Sequence, residues 1–309
     1  MNTSIAIVLV NYNGSNDTIT CIESIEKFVA DKYHIVLVDN DSKDFDYLES
    51  FSKRRNDITL IRNKENVGFA KANNIGIDYI NHNMSYDYLF LLNNDTILTK
   101  DAVKKLVRPF ADNPNIGITT SRIMYEHEKE IVWYGGGQMN YLRGKPKFAD
   151  YNRPPSKTGS LESKYVTFIS GCAMMFSKKS IKDLRGFDDD YFMYGEDVEL
   201  SIRAMKLGYR LYYVSDSVIY HKVGGSLLYK FQSKGGLSAE NPNLVFKFYH
   251  MRVNQWITMK KHLTGIKFII FNIIFRVELY YKALRLYFSG RTDIFAIVKR
   301  CKKSIRQYG

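Results

Sequence analysis

Three carboxylates fall within four residues at Gly195-Glu196-Asp197-Val198-Glu199, where a stretch with helical spacing begins, and His221 closes the apolar run that follows it. Carboxylates so placed can take a proton from a hydroxyl as general bases do, or can simply complement the positive end of a helix. Helical geometry separates them. Glu196 and Glu199 share a face, whereas Asp197 points about 100° away from Glu196. Glu199 can pair with Arg203 one turn later, a structural role, which leaves Glu196 and Asp197 as candidate bases. Gly208 supplies a natural stop for that helix.

A second group of polar residues follows four apolar runs: Asn11-Tyr12-Asn13-Gly14, Asp39-Asn40-Asp41, Arg62-Asn63 and Asn93-Asn94-Asp95. Turn chemistry accounts for any one of these, but in open α/β sheets ligands bind beyond the carboxyl ends of the strands, and four polar ends in succession point to such an edge. Asp39 is placed to accept a hydrogen bond from a nucleobase imide. Asp95 is the one carboxylate in its turn, too little charge to hold Mg²⁺ or Mn²⁺ unaided, so substrate phosphates, water and another protein ligand are needed to complete the shell. His221 is the candidate for that ligand, and a satisfied strand-end histidine is the competing reading. The chain has neither G-x-G-x-x-G nor G-x-x-x-x-G-K-[ST], which excludes the dinucleotide fingerprint and the P-loop.

The elements that must position these residues read as an alternating α/β pattern. Ile5 to Val10, Ile35 to Val38, Ile58 to Ile61 and Tyr88 to Leu92 are nearly continuous in Val, Ile and Leu, as parallel strands covered on both faces are. Asp17 to Phe28, Phe69 to Ile80 and Asp101 to Phe110 read as helices, giving the order strand, helix, strand, strand, helix, strand, helix. Further on, Ile116 to Thr120, Ile131 to Tyr134, Val166 to Phe176 and Tyr209 to Tyr220 read as strands. Arg143 to Ser163, rich in Pro, Lys, Ser and Asp, is expected to be a mobile surface loop.

The chain has 309 residues, 45% of them hydrophobic, enough for a sizeable core. Cys21, Cys172 and Cys301 form no C-x-x-C spacing, which argues against a disulfide framework or thiolate zinc site and suits a reducing cytoplasm; no export signal is read at the N-terminus. Charge is unevenly placed: residues 241–309 hold 8 Lys and 6 Arg against Glu278 and Asp293, a net +12 of the chain's +13. A nearly neutral body, 1–240, is thus joined to a basic helical region, 241–309, whose partner is expected to be an anionic membrane surface. Ile266 to Phe275 is almost wholly apolar but too short to span a bilayer, which takes roughly 20 residues. Phe268, Phe271, Ile274 and Phe275 could instead form an ordinary packing face or a homodimer interface.

In this order the residues resemble family 2 glycosyltransferases of the GT-A fold, especially the bacterial rhamnosyltransferase-like branch, over roughly residues 4 to 255. The resemblance is carried by Val10-Asn11-Tyr12-Asn13-Gly14, Val38-Asp39-Asn40, Asn66-Val67-Gly68-Phe69-Ala70 with Asn74-Ile75-Gly76, Leu91-Leu92-Asn93-Asn94-Asp95, Ser170-Gly171-Cys172-Ala173 and Gly195 to Leu200 with His221. It implies a Rossmann-like mixed α/β sheet flanked by helices, and an inverting transfer of a sugar from a nucleotide diphosphate donor to a glycan, expected to be carried on a polyprenyl diphosphate at the cytoplasmic face of the membrane. It places Asp95 in the metal-binding D-x-D position with His221 as the second ligand to Mg²⁺ or Mn²⁺, and Asp39 against the base. It puts Asn11, Asn66, Gly68, Asn74 and Asn94 with them around the donor, and makes Asp197 the base beside Glu196. Trp133 and Gly171 fall in regions that border the sugar and acceptor pocket in similar enzymes; an indole face suits a sugar ring, and a core tryptophan is the competing reading. Asn93 departs from the motif's first aspartate, which puts strict metal dependence in question. Rhamnose from dTDP-rhamnose is the donor implied. Of the rival readings, a sugar nucleotidyltransferase needs a Lys-bearing triphosphate loop that Asn11 to Asp17 lacks, and a nucleic-acid binder gives no reason for Asp39, Asp95, Asp197 and His221 to end successive elements.

Overall fold

The computed structural model describes residues 3–223 and 243–308. Its parallel core comprises β1 (Ser4–Asn11), β2 (Lys32–Asp39), β3 (Ile58–Arg62) and β4 (Tyr88–Asn93), ordered β4-β1-β2-β3. Ile5 to Leu9, Ile35 to Val38 and Leu89 to Leu92 are all buried, so their unbroken apolar runs face helices on both sides, as their composition predicts. The connecting helices are α1 (Ser15–Phe28), α2 (Phe45–Ser52), α3 (Phe69–Asn83) and α4 (Ala102–Asp112). The order read from the sequence omits α2, which buries only Phe45, Leu48 and Ser52 of its eight residues and so leaves little periodic signal. In α3, Gly76 lets the helix lie on the sheet: a Cβ there would come 2.6 Å from Val8 Cγ1.

The second half extends the sheet. β5 (Thr96–Leu98), β6 (Ile116–Tyr125), β7 (Val132–Tyr134), β10 (Lys164–Val166), β11 (Ala173–Ser177) and β12 (Arg210–His221) continue it as β10-β12-β6-β11-β4, while β5 pairs with β12 and β7 with β6. β8 (Gly137–Asn140) and β9 (Lys145–Phe148) form a separate hairpin. Two expectations are corrected here. Val166 to Phe176 is not one strand: it divides into β10 and β11, and the six residues between them carry the Ser170-Gly171-Cys172 turn. Arg143 to Ser163 is not simply a loop. Its first part is β9, and the Asp150 carboxylate then accepts bonds from the amides and hydroxyls of both Ser156 and Ser160, at 2.7–2.9 Å, so the polar composition builds a turn rather than disorder.

Two helices, α5 (Lys178–Leu184) and α6 (Glu196–Lys206), lead to the C-terminal helices α7 (Leu244–His262), α8 (Gly265–Phe288) and α9 (Ile294–Tyr308). The expected boundary at 240/241 lies outside the described residues. α7 buries Leu244, Phe248, Val253, Trp256, Ile257 and Met259, packing against α8 and α9 and meeting the α/β body at α6. α8 buries Phe271, Phe275, Leu279, Ala283 and Leu286 and leaves its opposite face exposed. Among the described residues no helix is long and apolar enough to cross a membrane.

Candidate active site

Parallel register brings the polar strand ends to one edge: Asn11 lies opposite Asp39, and Val10 opposite Asn93. The buried Asn11 amide joins them. Its Nδ2 donates to Asp39 Oδ1 and Ser42 Oγ, both at 2.9 Å, and its Oδ1 accepts from Thr18 Oγ1 at 2.9 Å and Asn94 Nδ2 at 3.3 Å. Asp39 is fully buried, with its second oxygen accepting from Ser42 N at 3.0 Å. Asn40 extends the network, donating to Asn66 Oδ1 at 2.8 Å and accepting from Asn63 and the Val67 amide. Asn66 Oδ1 also accepts from Gly68 N at 3.0 Å. Gly68 has φ +87°, and a Cβ there would lie 2.4 Å from the Phe192 carbonyl oxygen, so only glycine fits where this loop meets the segment before α6. Asn74 is placed elsewhere: its amide is spent on both backbone groups of Phe187 and on Asp189, away from the Asn11 and Asn40 networks.

Asp95 and His221 are brought together by a pairing between distant segments. The three-residue β5 runs antiparallel to the end of β12, with His221 opposite Thr96, and Lys222 N donates to the Asp95 carbonyl at 3.0 Å. His221 Nε2 then lies 3.0 Å from Asp95 Oδ1. Burial alone would lower the imidazole, but Asp95 and the adjacent Cys172 outweigh it and hold the ring well above the ordinary histidine range. Once a cation displaces the proton held between them, one carboxylate oxygen and one imidazole nitrogen are a donor pair suited to a borderline or hard divalent cation, so its binding should strengthen as pH rises. Two buried atoms nearby lack a hydrogen-bond partner, His221 Nδ1 and Asn93 Oδ1, the latter a neutral oxygen in the position where the motif has an aspartate. Among the described residues no cluster of three or more His, Cys, Asp or Glu could hold a metal, so a cation held by this pair needs phosphate or water to complete its shell. Trp133 is half-buried, with its ring edge-on to His221 at 4.7 Å between centroids and a looser contact to Phe148 at 6.2 Å.

At the start of α6 the three carboxylates separate. Glu199 is bound by Arg203 through Nε and Nη2 at 2.9–3.1 Å and lies 3.3 Å from His262 Nε2, the structural pairing its spacing predicts. Burial would raise its carboxyl, but these partners outweigh it and leave it below the ordinary range. Asp197 is half-buried; Oδ2 accepts from Gly171 N at 3.2 Å and Oδ1 from Val198 N at 2.8 Å. Burial raises its carboxyl to about 6 even though both amides favour the charged form. Glu196 is buried, its Oε2 without a partner, and burial followed by repulsion from Asp197 raises it to about 8. The face argument grouped Glu196 with Glu199, but its electrostatic neighbour is Asp197.

The Ser170-Gly171-Cys172 turn links the two groups, because the Gly171 amide holds Asp197 while the thiol of the next residue lies beside the His221 ring. Several residues of the site were not singled out from the sequence. Ser42 and Thr18 complete the Asn11 network, and Asp39 with Ser42 three residues on is a legible side-chain turn pattern. Asn254 of α7 donates to the Met193 and Tyr194 carbonyls, at 3.0 and 2.6 Å, just before α6, a contact across some sixty residues that no local pattern announces.

Residues 6–185 match the family model for "Glycosyl transferase family 2", and residues 157–223 match one for "N-terminal domain of galactosyltransferase". Among curated proteins the chain is similar to poly-beta-1,6-N-acetyl-D-glucosamine synthase of Staphylococcus aureus, 26% identical over 210 residues, covering 68% of this chain and 47% of the relative. The Staphylococcus epidermidis enzyme of the same name is also 26% identical, over 212 residues, so the chain spans about half the length of the curated relatives it matches. Among solved structures it is similar in fold to GalNAc-T7 with UDP, GalNAc and Mn²⁺, with a TM-score of 0.59 at 20% identity over 81% of this chain and 48% of the other. It is also similar to the mannosyltransferase PcManGT from Pyrobaculum calidifontis in complex with GDP-Man and Mn²⁺, with a TM-score of 0.57 at 15% identity over 97% and 75% of the two chains. S. aureus TarS 1-349 has a TM-score of 0.52 at 13% identity over 99% and 92%. The mixed sheet and its helices are thus those of the GT-A glycosyltransferases, and since the family model takes in more than half of its residues, the chain belongs to glycosyl transferase family 2.

Proposed function

We propose that the chain moves a sugar, with inversion, from a nucleotide diphosphate donor to a hydroxyl of a cell-surface glycan carried on a polyprenyl diphosphate. The observation that carries this reading is the Gly171-Cys172 step, which sets a raised carboxylate and the Asp95–His221 pair on either side of two consecutive residues. Asp197 takes the proton of the acceptor hydroxyl as it attacks the anomeric carbon; Glu196, protonated at neutral pH, adds no second charge beside it. Asp95 and His221 hold Mg²⁺ or Mn²⁺, which when bound neutralises charge on the leaving diphosphate. Asn11, Asp39, Asn66, Gly68 and Asn94 shape the donor edge, with Asn74 supporting the loop behind it, and Trp133 and Gly171 border the acceptor side. The Mn²⁺ and nucleotide ligands named for GalNAc-T7 and PcManGT support a cation and a nucleotide-sugar donor. Sequence resemblance makes dTDP-rhamnose the first donor to try; the named N-acetylglucosamine polymer synthases add UDP-N-acetylglucosamine.

Residues 241–309 serve in this reading as the membrane-facing region at the cytoplasmic face. On α8 the outward residues Ile266, Ile269, Ile270, Ile273, Val277, Tyr281, Leu284 and Phe288 are all exposed and lie within about 60° of one line along the helix, a sector that contains no charge. A screen of dTDP- and UDP-sugars for donor hydrolysis tests the enzymatic reading. Activity is expected with one of them, lost in EDTA and restored by Mg²⁺ or Mn²⁺; full turnover in chelator would remove the Asp95–His221 assignment.

A further inference from the structure

The bundle of α7, α8 and α9 encloses a surface cavity of about 100 Å³ that the catalytic reading leaves unused. Its floor is apolar, formed by the buried side chains of Trp256 from α7, Phe275 and Leu279 from α8 and Ile305 from α9. Its rim is cationic, with Arg276 of α8 and Lys302 and Arg306 of α9, and among the described residues no carboxylate lines it. The rim is tied to the floor, since Asn272 Oδ1 accepts from Trp256 Nε1 at 3.1 Å and from Arg276 Nε at 3.4 Å. Lys302 Nζ donates to the Tyr280 hydroxyl at 2.8 Å. These partners are neutral, and among the described residues none of the three cations forms an ion pair. Water solvates an exposed cation well enough; three of them around one small cavity with an apolar floor and no acid form a place shaped for an anion.

Size and position indicate which anion. At about 30 Å³ for each water, the cavity has the room of roughly three waters, enough for one tetrahedral phosphate and too little for a nucleotide. Guanidinium and ammonium donors suit phosphate oxygens, and charge-assisted bonds of this kind are the strong ones. Around the axis of α8, Tyr280 falls inside the outward apolar sector and Arg276 lies about 20° beyond Ile269 at its edge. Arg276, Tyr280 and Arg306 are all exposed, so the mouth of the cavity opens beside that sector, whereas Lys267 and Arg285 stand on the opposite flank. We infer that Arg276, Lys302 and Arg306 bind the phosphate group of an anionic membrane lipid in this cavity, with the lipid's chains running onto the exposed face of α8. This is a defined headgroup site rather than the general attraction of a basic surface, and it rests on the proposed membrane-facing role of that helix.

Calorimetry with monomeric dihexanoylphosphatidic acid tests it, on the full chain. Wild type should bind this probe, and Arg276→Gln and Arg306→Gln should each bind at least tenfold more weakly; both positions are exposed, so neither change should disturb folding. Arg285→Gln, which removes the same charge from the opposite flank of α8, should bind as wild type does. Equal weakening by Arg285→Gln, or none by the two rim variants, overturns the site and leaves diffuse electrostatics. Inorganic phosphate binding as tightly as the lipid overturns the lipid assignment, and so does an oligonucleotide that binds more tightly than the lipid. Flotation with phosphatidylglycerol vesicles separates the two levels. If Ile273→Glu loses flotation while both rim variants bind the probe normally, the membrane-facing role stands and the phosphate site falls. If the rim variants lose the probe while Ile273→Glu floats as wild type does, the phosphate site stands and the course of the chains along α8 falls.

Discussion

Helical spacing set Asp197 apart from Glu199 but left Glu196 beside it as a candidate base, and the environment of neither was legible. That Glu199 would be occupied by Arg203 follows from a four-residue interval, a relation the sequence carries directly. The raised Asp197 carboxyl depends instead on burial and on the Gly171 amide, supplied from twenty-six residues away. The same distinction holds for Asp95 and His221, each identifiable as a strand-end residue, whose 3.0 Å approach exists only because a three-residue strand pairs with β12. The elevated carboxyl gives a signed prediction. A base must be ionised, so kcat/KM should fall as pH drops through about 6 and level off above it. Asp197→Asn should lower kcat by about 10²–10⁴-fold with nucleotide binding kept, and should remove that acid limb. Near-normal turnover in this variant, measured alongside donor affinity, would transfer the base role elsewhere.

Among the elements, the continuous apolar strands and their polar ends were legible because parallel strands buried on both faces need no tertiary information to be recognised. The break between β10 and β11 was missed because the flanks of Val166 to Phe176 are apolar, although the Ser170-Gly171 pair between them is a turn signal and the backbone turns there to present Gly171 and Cys172. The part played by α7 was missed too. Its basic and aromatic composition reads as an appendage, yet Asn254 caps the carbonyls of Met193 and Tyr194, Thr258 bonds the Tyr191 hydroxyl at 2.8 Å, and His262 reaches Glu199. Tyr194, at φ +67°, is a strained residue at the entry to α6, so the two Asn254 bonds hold the backbone just before the candidate base. Asn254→Ala should leave both carbonyls short of a donor, costing about 1–3 kcal/mol in urea unfolding. It should also reduce kcat more than it raises donor KM, because Asp197 loses its positioning rather than its ligand contacts. A stability loss with kcat unchanged would confine α7 to a structural role.

For the whole molecule, the division of charge is the property most plainly written in the composition, and the fold gives it a direction. The helices that carry the net +12 of residues 241–309 also carry the largest exposed apolar residues, Ile266 at 66%, Val277 at 65% and Phe288 at 83%. A surface of that kind on a single chain marks an interaction face. With 24 residues α8 is about 36 Å long, and its buried stripe packs it against α7 and α9; it is not apolar enough to cross a bilayer, and its exposed face suits the plane of an interface. Lys267 and Arg285 on one flank and Arg276 on the other bracket the apolar sector, the arrangement in which anionic lipid and apolar burial act together, at ~1 kcal/mol per cation near the surface. A dimer through the same face would bury the isoleucines equally well but would set two basic flanks against each other. The two outcomes differ in what salt and lipid do. Ile273→Glu with Val277→Glu should abolish flotation with phosphatidylglycerol vesicles while shifting stability by no more than about 0.5 kcal/mol, as expected for exposed positions. Wild-type flotation should weaken as salt is raised and should be absent with phosphatidylcholine alone. If the wild type instead runs as a dimer in light scattering without lipid, and the double variant as a monomer, the face belongs to a second copy of the chain.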